Sequence, residues 1–114
     1  MTRKVRGTMI TFEYSLSWRG DTHTFDIISD GVKVGGFELC EVEDYGLEFA
    51  CFGINEEYRG QGIGSEVLAI IGMLSVPITL GCGRQRVDFY KRNGFAVVST
   101  VGADSEFHYM QLTT

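Results

Sequence analysis

The sequence predicts a mixed α/β fold of the α+β kind: a mostly antiparallel seven-stranded sheet with two helices packed on it. Three observations carry this. The first half alternates apolar and polar residues with a period of two, from Ile10 to Trp18. The apolar pattern switches to helical spacing after a glycine-rich loop, at Val67, Ile70, Ile71 and Leu74. The order of elements is four strands, helix, strand, helix, two strands, so the fourth and fifth strands, joined through a helix, should run parallel.

Each element has its own signal. In the first strand Ile10, Phe12, Tyr14, Leu16 and Trp18 alternate with Thr11, Glu13, Ser15 and Ser17, as in a half-buried strand. Arg19-Gly20-Asp21 turns the chain into a second strand, about 24–29. Asp30-Gly31 is a two-residue hairpin signal, because both positions tolerate positive φ. The third strand changes phase from Val32 and Val34 to Phe37 and Leu39 across Gly35-Gly36, which predicts a bulge there. Asp44-Tyr45-Gly46 closes that strand. The fourth, Leu47 to Ile54, is almost continuously apolar apart from Glu48, and is expected to be central and buried on both faces.

The second half holds the helices. After the first, Pro77 ends the connection and Ile78-Thr79-Leu80 reads as a short buried strand. A second helix is expected over about 84–93, with Asp88 near its start, Lys91 and Arg92 near its end, and Asn93-Gly94 as its stop. Phe95 to Val101 and Phe107 to Leu112 read as a closing antiparallel pair.

Size and composition bound the function. A chain of 114 residues is one domain's worth, so residues 1–114 are read as a single domain. The net charge of −5 argues against a nucleic-acid partner, which wants a basic face. The acidity is concentrated at Glu38, Glu41, Glu43, Asp44 and Glu48, with no Lys or Arg among them. That stretch reads either as a solvated rim or as a surface attracting a cationic acceptor. Cys40, Cys51 and Cys82 form no metal-binding spacing and no evident disulfide framework, and each is expected to act as a small buried apolar residue. No signal peptide is visible and no apolar run is long enough for a membrane span, so a cytoplasmic location is expected.

The chemistry centres on Arg59-Gly60-Gln61-Gly62-Ile63-Gly64, between a buried strand and a helix. Bare backbone at a helix N-terminus suits phosphate, because unpaired N–H groups and the helix dipole both favour an anion. Arg59 could add a cation. The glycine spacing and position disfavour a dinucleotide-binding βαβ unit, and no Gly-Lys-Ser/Thr follows as a P-loop requires.

The stretch Ile54-Asn55-Glu56-Glu57-Tyr58-Arg59-Gly60-Gln61-Gly62-Ile63-Gly64 resembles the acetyl-CoA signature of the GNAT family of N-acetyltransferases. A second block, Asp88-Phe89-Tyr90-Lys91-Arg92-Asn93-Gly94-Phe95, is similar to that family's late helix, Phe-Tyr-x-x-x-Gly-Phe. The resemblance covers Leu47 to Phe95. It implies a GNAT-like acyl-CoA N-acyltransferase fold and acetyl-CoA as co-substrate. Backbone near Phe52 and Ile54 would then hold the pantetheine arm. The amides of Gly60, Gln61, Gly62, Ile63, Gly64 and Ser65 would hold the pyrophosphate. The fourth and fifth strands would splay to admit the thioester. Tyr90 matches the tyrosine that protonates the departing thiolate in many members, against the alternative that it only packs the helix.

The base is less determined. Glu48 is the one charge in an apolar strand, where a carboxylate needs a partner or a task. It matches the place of a glutamate base in one branch of the family, against the alternative of a salt bridge or an exposed strand edge. His108, Asp104 and Glu106 are reserve residues for acceptor binding. His23 reads as a surface residue.

Three departures stand out. Glu56 replaces a frequent Pro. Arg84 stands roughly where many members have Asn, and could reach a phosphate instead. The two helices that usually separate the first two strands are missing, with only 19–23 available. Those helices normally wall the acceptor site. Their loss implies an open site that admits a protein side chain, or one completed by a second subunit in a homodimer. The expected reaction is acetyl transfer to a primary amine, on a protein or a small molecule. A non-catalytic acyl-CoA-binding module is the alternative.

Overall fold

The computed structural model describes residues 9–16, 22–42, 46–102 and 106–112. Its strands are β1 (Ile10–Leu16), β2 (Thr22–Ser29), β3 (Val32–Val42), β4 (Gly46–Ile54), β5 (Ile78–Gly83), β6 (Phe95–Val101) and β7 (Phe107–Leu112). They form one sheet in the order β1-β2-β3-β4-β5-β7-β6. Only β4 and β5 run parallel; every other pair is antiparallel. The helices are α1 (Ile63–Gly72) and α2 (Val87–Arg92). The expected mixed, seven-stranded architecture is what forms.

β1 pairs directly with β2, with Leu16 opposite His23. Trp18, the turn at Arg19-Gly20-Asp21 and the turn residues Asp44-Tyr45 lie outside the described residues. In the β2–β3 hairpin Asp30 has φ 50° and Gly31 φ 83°. Two positive φ values in a row match the right-handed twist of the strands. The β3 bulge also forms. Ile27 faces Gly35 and Ile28 faces Lys33, leaving Val34 as the extra residue. Gly35 is required beside it, because a Cβ there would run into the carbonyl of Gly53 on β4.

Three expectations are corrected. The helical apolar face is rotated: Ile63, Val67, Leu68 and Ile71 are buried, whereas Ile70 and Leu74 are exposed. α1 stops at Gly72, so Leu74 never joins its face, and Ile70 falls at the rim. The second helix begins as a 3-10 turn over Arg84–Arg86 and becomes α-helical only from Val87. Most consequentially, β4 is central but not buried on both faces. Phe49 is buried, while Ala50, Cys51 and Gly53 are exposed. Both helices sit on one side of the sheet: a Cβ on α1's Gly72 and one on Gly94, just after α2, would each approach the same side chain, Leu112. Among the described residues no helix covers the other face, and Cys51 on it is exposed rather than buried as expected.

The core under the helices is a single cluster, from Ile27 and Val34 across Phe37, Leu39 and Phe49 to Ile78, Leu80 and Met110. Aromatic contacts run through it without a break. Centroid separations are 5.1 Å for Phe12–Phe37, 5.8 Å for Phe37–Phe49, 5.4 Å for Phe49–Phe52, 6.5 Å for Phe52–Tyr90 and 5.5 Å for Tyr90–Phe95. These contacts fix the Tyr90 ring between β4 and β6. Among the described residues no helix is long and apolar enough to cross a membrane.

Candidate active site

β4 changes partners halfway along. It pairs with β5 only through Leu47, Glu48 and Phe49. On its other side the register slips, with Leu39 opposite Phe49 and Glu38 opposite Cys51, so Ala50 is the bulged residue. Beyond Phe49, β4 and β5 therefore diverge. A cleft of about 550 Å³ lies at this divergence. Its walls are Phe52, Gly53 and Ile54 of β4, the loop and first turn of α1, and Gln85, Arg86, Phe89, Tyr90 and Arg92. That volume is in the range of a pocket for a drug-sized ligand.

The loop geometry follows from its glycines. Gly60 (φ 80°) and Gly62 (φ 82°) are left-handed, a conformation that costs an L-residue strain. A Cβ at either would meet no atom, so these two are needed for backbone shape. Gly64 is different: a Cβ there would stand 3.2 Å from Cζ of Phe89, so its bareness lets α1 approach α2. Gly62 is the N-cap of α1 and no side chain caps that end. The amides of the first turn are thus available to an anion at the positive end of the helix dipole.

Of the residues singled out in the sequence, Phe52, Ile54, Arg59, Gly60, Gly62, Ile63, Gly64, Ser65 and Tyr90 line the cleft. Gln61 does not; it faces a separate groove with Ser29 and Val34. Arg59 is tethered, its Nε donating to the Ile54 carbonyl at 2.7 Å. That bond uses one of the two lone pairs of the Ile54 carbonyl, on the backbone expected to hold the pantetheine arm. Arg84 is not part of the lining; Arg86 and Arg92 join Arg59 as the cations there. Sequence reasoning missed Arg86, Arg92 and Gln85.

Tyr90 is 5% exposed, and its hydroxyl makes no hydrogen bond among the described residues. Burial pushes its phenol above the ordinary range, opposed by the nearby Arg86 guanidinium. Cys82, buried on β5, is pushed up by desolvation and pulled back by the same Arg86. Both groups stay protonated at neutral pH. Asn93 caps the end of α2, its Nδ2 donating to the Phe89 carbonyl at 2.8 Å, which fixes the turn carrying Tyr90.

Glu48 sits just before the divergence, opposite Thr79 of β5 and Cys40 of β3. It alternates with buried Phe49 and so belongs to the open face, outside the cleft lining. It has no ion pair among the described residues. His108 lies opposite Cys82, with both ring nitrogens buried and unpartnered among the described residues. His23 is engaged between Tyr14 Oη at 2.7 Å and Glu41 Oε2 at 2.8 Å, away from the cleft.

On the open face a second groove, about 620 Å³, shares Gly53, Ile54 and Arg59 with the cleft. It carries Asp26, Glu38, Glu56 and Glu57 against Lys33 and Arg59.

The family model described as an acetyltransferase (GNAT) domain matches residues 20–97. No curated protein matches the sequence. Solved structures share the fold. A protein assigned to the GNAT family from Bacteroides thetaiotaomicron is 20% identical, with TM-score 0.72, over 86% of this chain and 65% of its own. The PaiA N-acetyltransferase from Thermoplasma acidophilum, solved with coenzyme A, is 23% identical, with TM-score 0.66, over 84% of this chain and 63% of its own. A GNAT acetyltransferase from Elizabethkingia anophelis, solved with acetyl-CoA, is 11% identical, with TM-score 0.72, over 92% of this chain and 98% of its own. The chain thus spans less than two thirds of the first two proteins and nearly all of the third. Because the domain model covers well over half of the sequence, the chain belongs to the GNAT acetyltransferase family.

Proposed function

We propose that this protein is an N-acetyltransferase that moves an acetyl group from acetyl-CoA to a primary amine by direct attack. The observation that carries the reading is one cleft holding three things. These are an uncapped helix N-terminus approached by bare glycine backbone, three arginines, and a buried phenol without a hydrogen-bond partner among the described residues. The first two fit a diphosphate. The third fits a leaving group that must gain a proton.

Acetyl-CoA supplies the activated acyl group. The chain's own residues do the rest. The first-turn amides of α1, with Arg86 and Arg92, bind the diphosphate. The diverging edge of β4 past Phe49 offers backbone hydrogen bonds that β5 no longer takes. Tyr90 holds the proton for the departing sulfur, and its raised pKa keeps that proton in place until it is needed. Glu48 is the candidate base, on the face from which an amine would approach. The acidic groove supports a cationic acceptor, such as a lysine side chain, a protein N-terminus or a small polyamine-like molecule. An uncovered sheet face leaves room for a macromolecule or for a second subunit.

The test is incubation with labelled acetyl-CoA and a panel of amines. Transfer to basic primary amines is the expected result. Binding of the cofactor with no transfer to any amine would remove the enzymatic reading and leave an acyl-CoA-binding module.

A further inference from the structure

The gap between β4 and β5 has two unlike rims on the open face. Gly81 is the first β5 residue past the last β4–β5 pair, Phe49–Leu80. It alternates with Leu80 and Cys82, both buried under the helices, so its bare side belongs to the open face. Phe107 and Tyr109 of β7 fill that space. A Cβ on Gly81 would lie 2.6 and 2.8 Å from Cε2 and Cζ of Phe107, and 3.3 Å from Cε1 of Tyr109. The two rings meet edge to face, with centroids 5.4 Å apart. The glycine thus seats an aromatic ledge where the strands part.

The ledge is seated but not covered. Phe107 and Tyr109 are each 40% exposed, and Val101, opposite Phe107 on β6, is 52% exposed. In register, Phe107 faces Gly83, Tyr109 faces Gly81 and Gln111 faces Thr79, so this rim carries no charge. The β4 rim is the reverse. Cys51 and Gly53 are small and exposed, and a Cβ on Gly53 would meet no atom. The charges in register with it are carboxylates: Glu48, opposite Thr79, and Glu38, opposite Cys51. Lys33, farther along β3, is paired with Asp26 at 3.3 Å. Thr79 lies two residues, about 6.6 Å, from Gly81 along β5. A molecule in the gap therefore meets rings on one side and carboxylates on the other. Size decides its class. At these exposures the ledge offers roughly 250 Å² of apolar surface, well short of the roughly 800 Å² per partner in a stable protein complex. That is enough for one aromatic ring of a small molecule.

We propose that the acceptor is a small arylalkylamine. Its ring lies on the Phe107–Tyr109 ledge, and its primary amine, on a short alkyl spacer, is directed toward Glu48. The inference deepens, and rests on, the reading of the cleft as the acetyl-CoA site with the amine entering from the open face. Ring-on-ring contact and burial supply the affinity. The carboxylates attract the cationic end. An aliphatic polyamine leaves the ledge unused, and a lysine side chain brings no ring to it.

The experiment assays the full chain with acetyl-CoA and 2-phenylethylamine, butylamine, spermidine or a lysine peptide. Calorimetry with coenzyme A is run on each preparation. The expected kcat/KM for 2-phenylethylamine is at least about tenfold above that for butylamine, with the difference carried by KM. Phe107→Ala and Tyr109→Ala each lower this ratio several-fold, and Tyr109→Phe preserves it. Gly81→Ala, which displaces the Phe107 ring, lowers it as well. Coenzyme A binding shows that a variant is folded, and Phe107→Leu replaces Phe107→Ala if it is not. A ratio near one overturns the proposal, as does a ratio unchanged in folded Phe107→Ala and Tyr109→Ala. So does spermidine or the peptide outrunning 2-phenylethylamine. Self-association in sedimentation that Phe107→Ala abolishes also overturns it, because the ledge is then an interface between copies. Transfer to other amines without preference for the ring sinks this inference alone. Coenzyme A binding with no transfer to any amine sinks the enzymatic reading, and this inference with it.

Discussion

Gly64 of α1 and Phe89 of α2 are in contact so close that a methyl group on the glycine would stand 3.2 Å from the tip of the ring. The two motifs that make up the site are joined by this contact. Phe52 and Ile54 lie at 3.8 Å from the same point, so the pocket around the missing Cβ has little room on the β4 side as well. Gly64→Val should therefore overpack the junction and destabilise the fold by about 1–3 kcal/mol. Gly64→Ala should be much milder, since the ring tip can shift and alanine gains about 1 kcal/mol of helix propensity over glycine. Denaturant midpoints of the two variants check this. Equal midpoints would show that the contact does not set the packing of α1 on α2.

Tyr90 gives a prediction in pH. Its phenol is held above its ordinary 10.0 by burial, and the Cys82 thiol above its ordinary 9.0 for the same reason. Both are neutral when protonated, and the fold favours that form. In the unfolded chain they lose protons first, so the native state binds more protons above those values. Stability from the two groups is complete below pH 9.0 and falls as pH rises through the folded-state values. Denaturation curves above and below that pH should show the loss, and Tyr90→Phe should remove the phenol's share. In catalysis, Tyr90→Phe should lower kcat by roughly a hundredfold or more. Unchanged kcat in a folded Tyr90→Phe protein would reduce the residue to a packing role.

Arg86 links the site's two halves. It lines the cleft, and its charge lowers the pKa of both Tyr90 and Cys82. Arg86→Gln should raise both groups further and weaken coenzyme A binding. The loss should be on the order of 10- to 100-fold, the range of one charge-assisted hydrogen bond at about 1.5–3 kcal/mol. Calorimetry checks the affinity, and spectrophotometric titration of the tyrosines checks the shift. Affinity unchanged in Arg86→Gln would mean that Arg92 and the α1 amides carry the diphosphate alone.

How much of this was legible in the sequence depends on distance along the chain. The Asp30-Gly31 hairpin, the Gly60 and Gly62 turns and the Asn93-Gly94 stop were legible because backbone conformation is a local property. The bulge beside Gly35 was legible because a phase change in the apolar pattern has few other causes. The open face of β4 was not. Leu47 to Ile54 is apolar whether or not anything covers its second side, and only the placement of both helices on one face decides the matter. Two short helices for seven strands was the available hint. Arg86 and Arg92 escaped for a similar reason. Nothing in their local sequence marks them; they reach the cleft because Phe89 packs on Gly64 and turns α2 toward the loop.

The division between cleft and groove separates binding from acceptance. Glu38 lines the open-face groove and not the cleft, whereas Glu48 lies on the same face beside the last β4–β5 pair. If the groove receives a cationic amine, Glu38→Gln should raise the KM for that amine several-fold and leave coenzyme A affinity untouched. Added salt should shrink the difference, because exposed charges are screened within about 10 Å at 0.1 M. If Glu48 is the base, Glu48→Gln should instead lower kcat, by about 100-fold or more. KM should change little. Steady-state kinetics on both variants, over pH and ionic strength, tells the two roles apart. A KM effect from Glu48→Gln with kcat preserved would move that carboxylate from proton transfer to acceptor binding, and water or another group would then take the amine's proton.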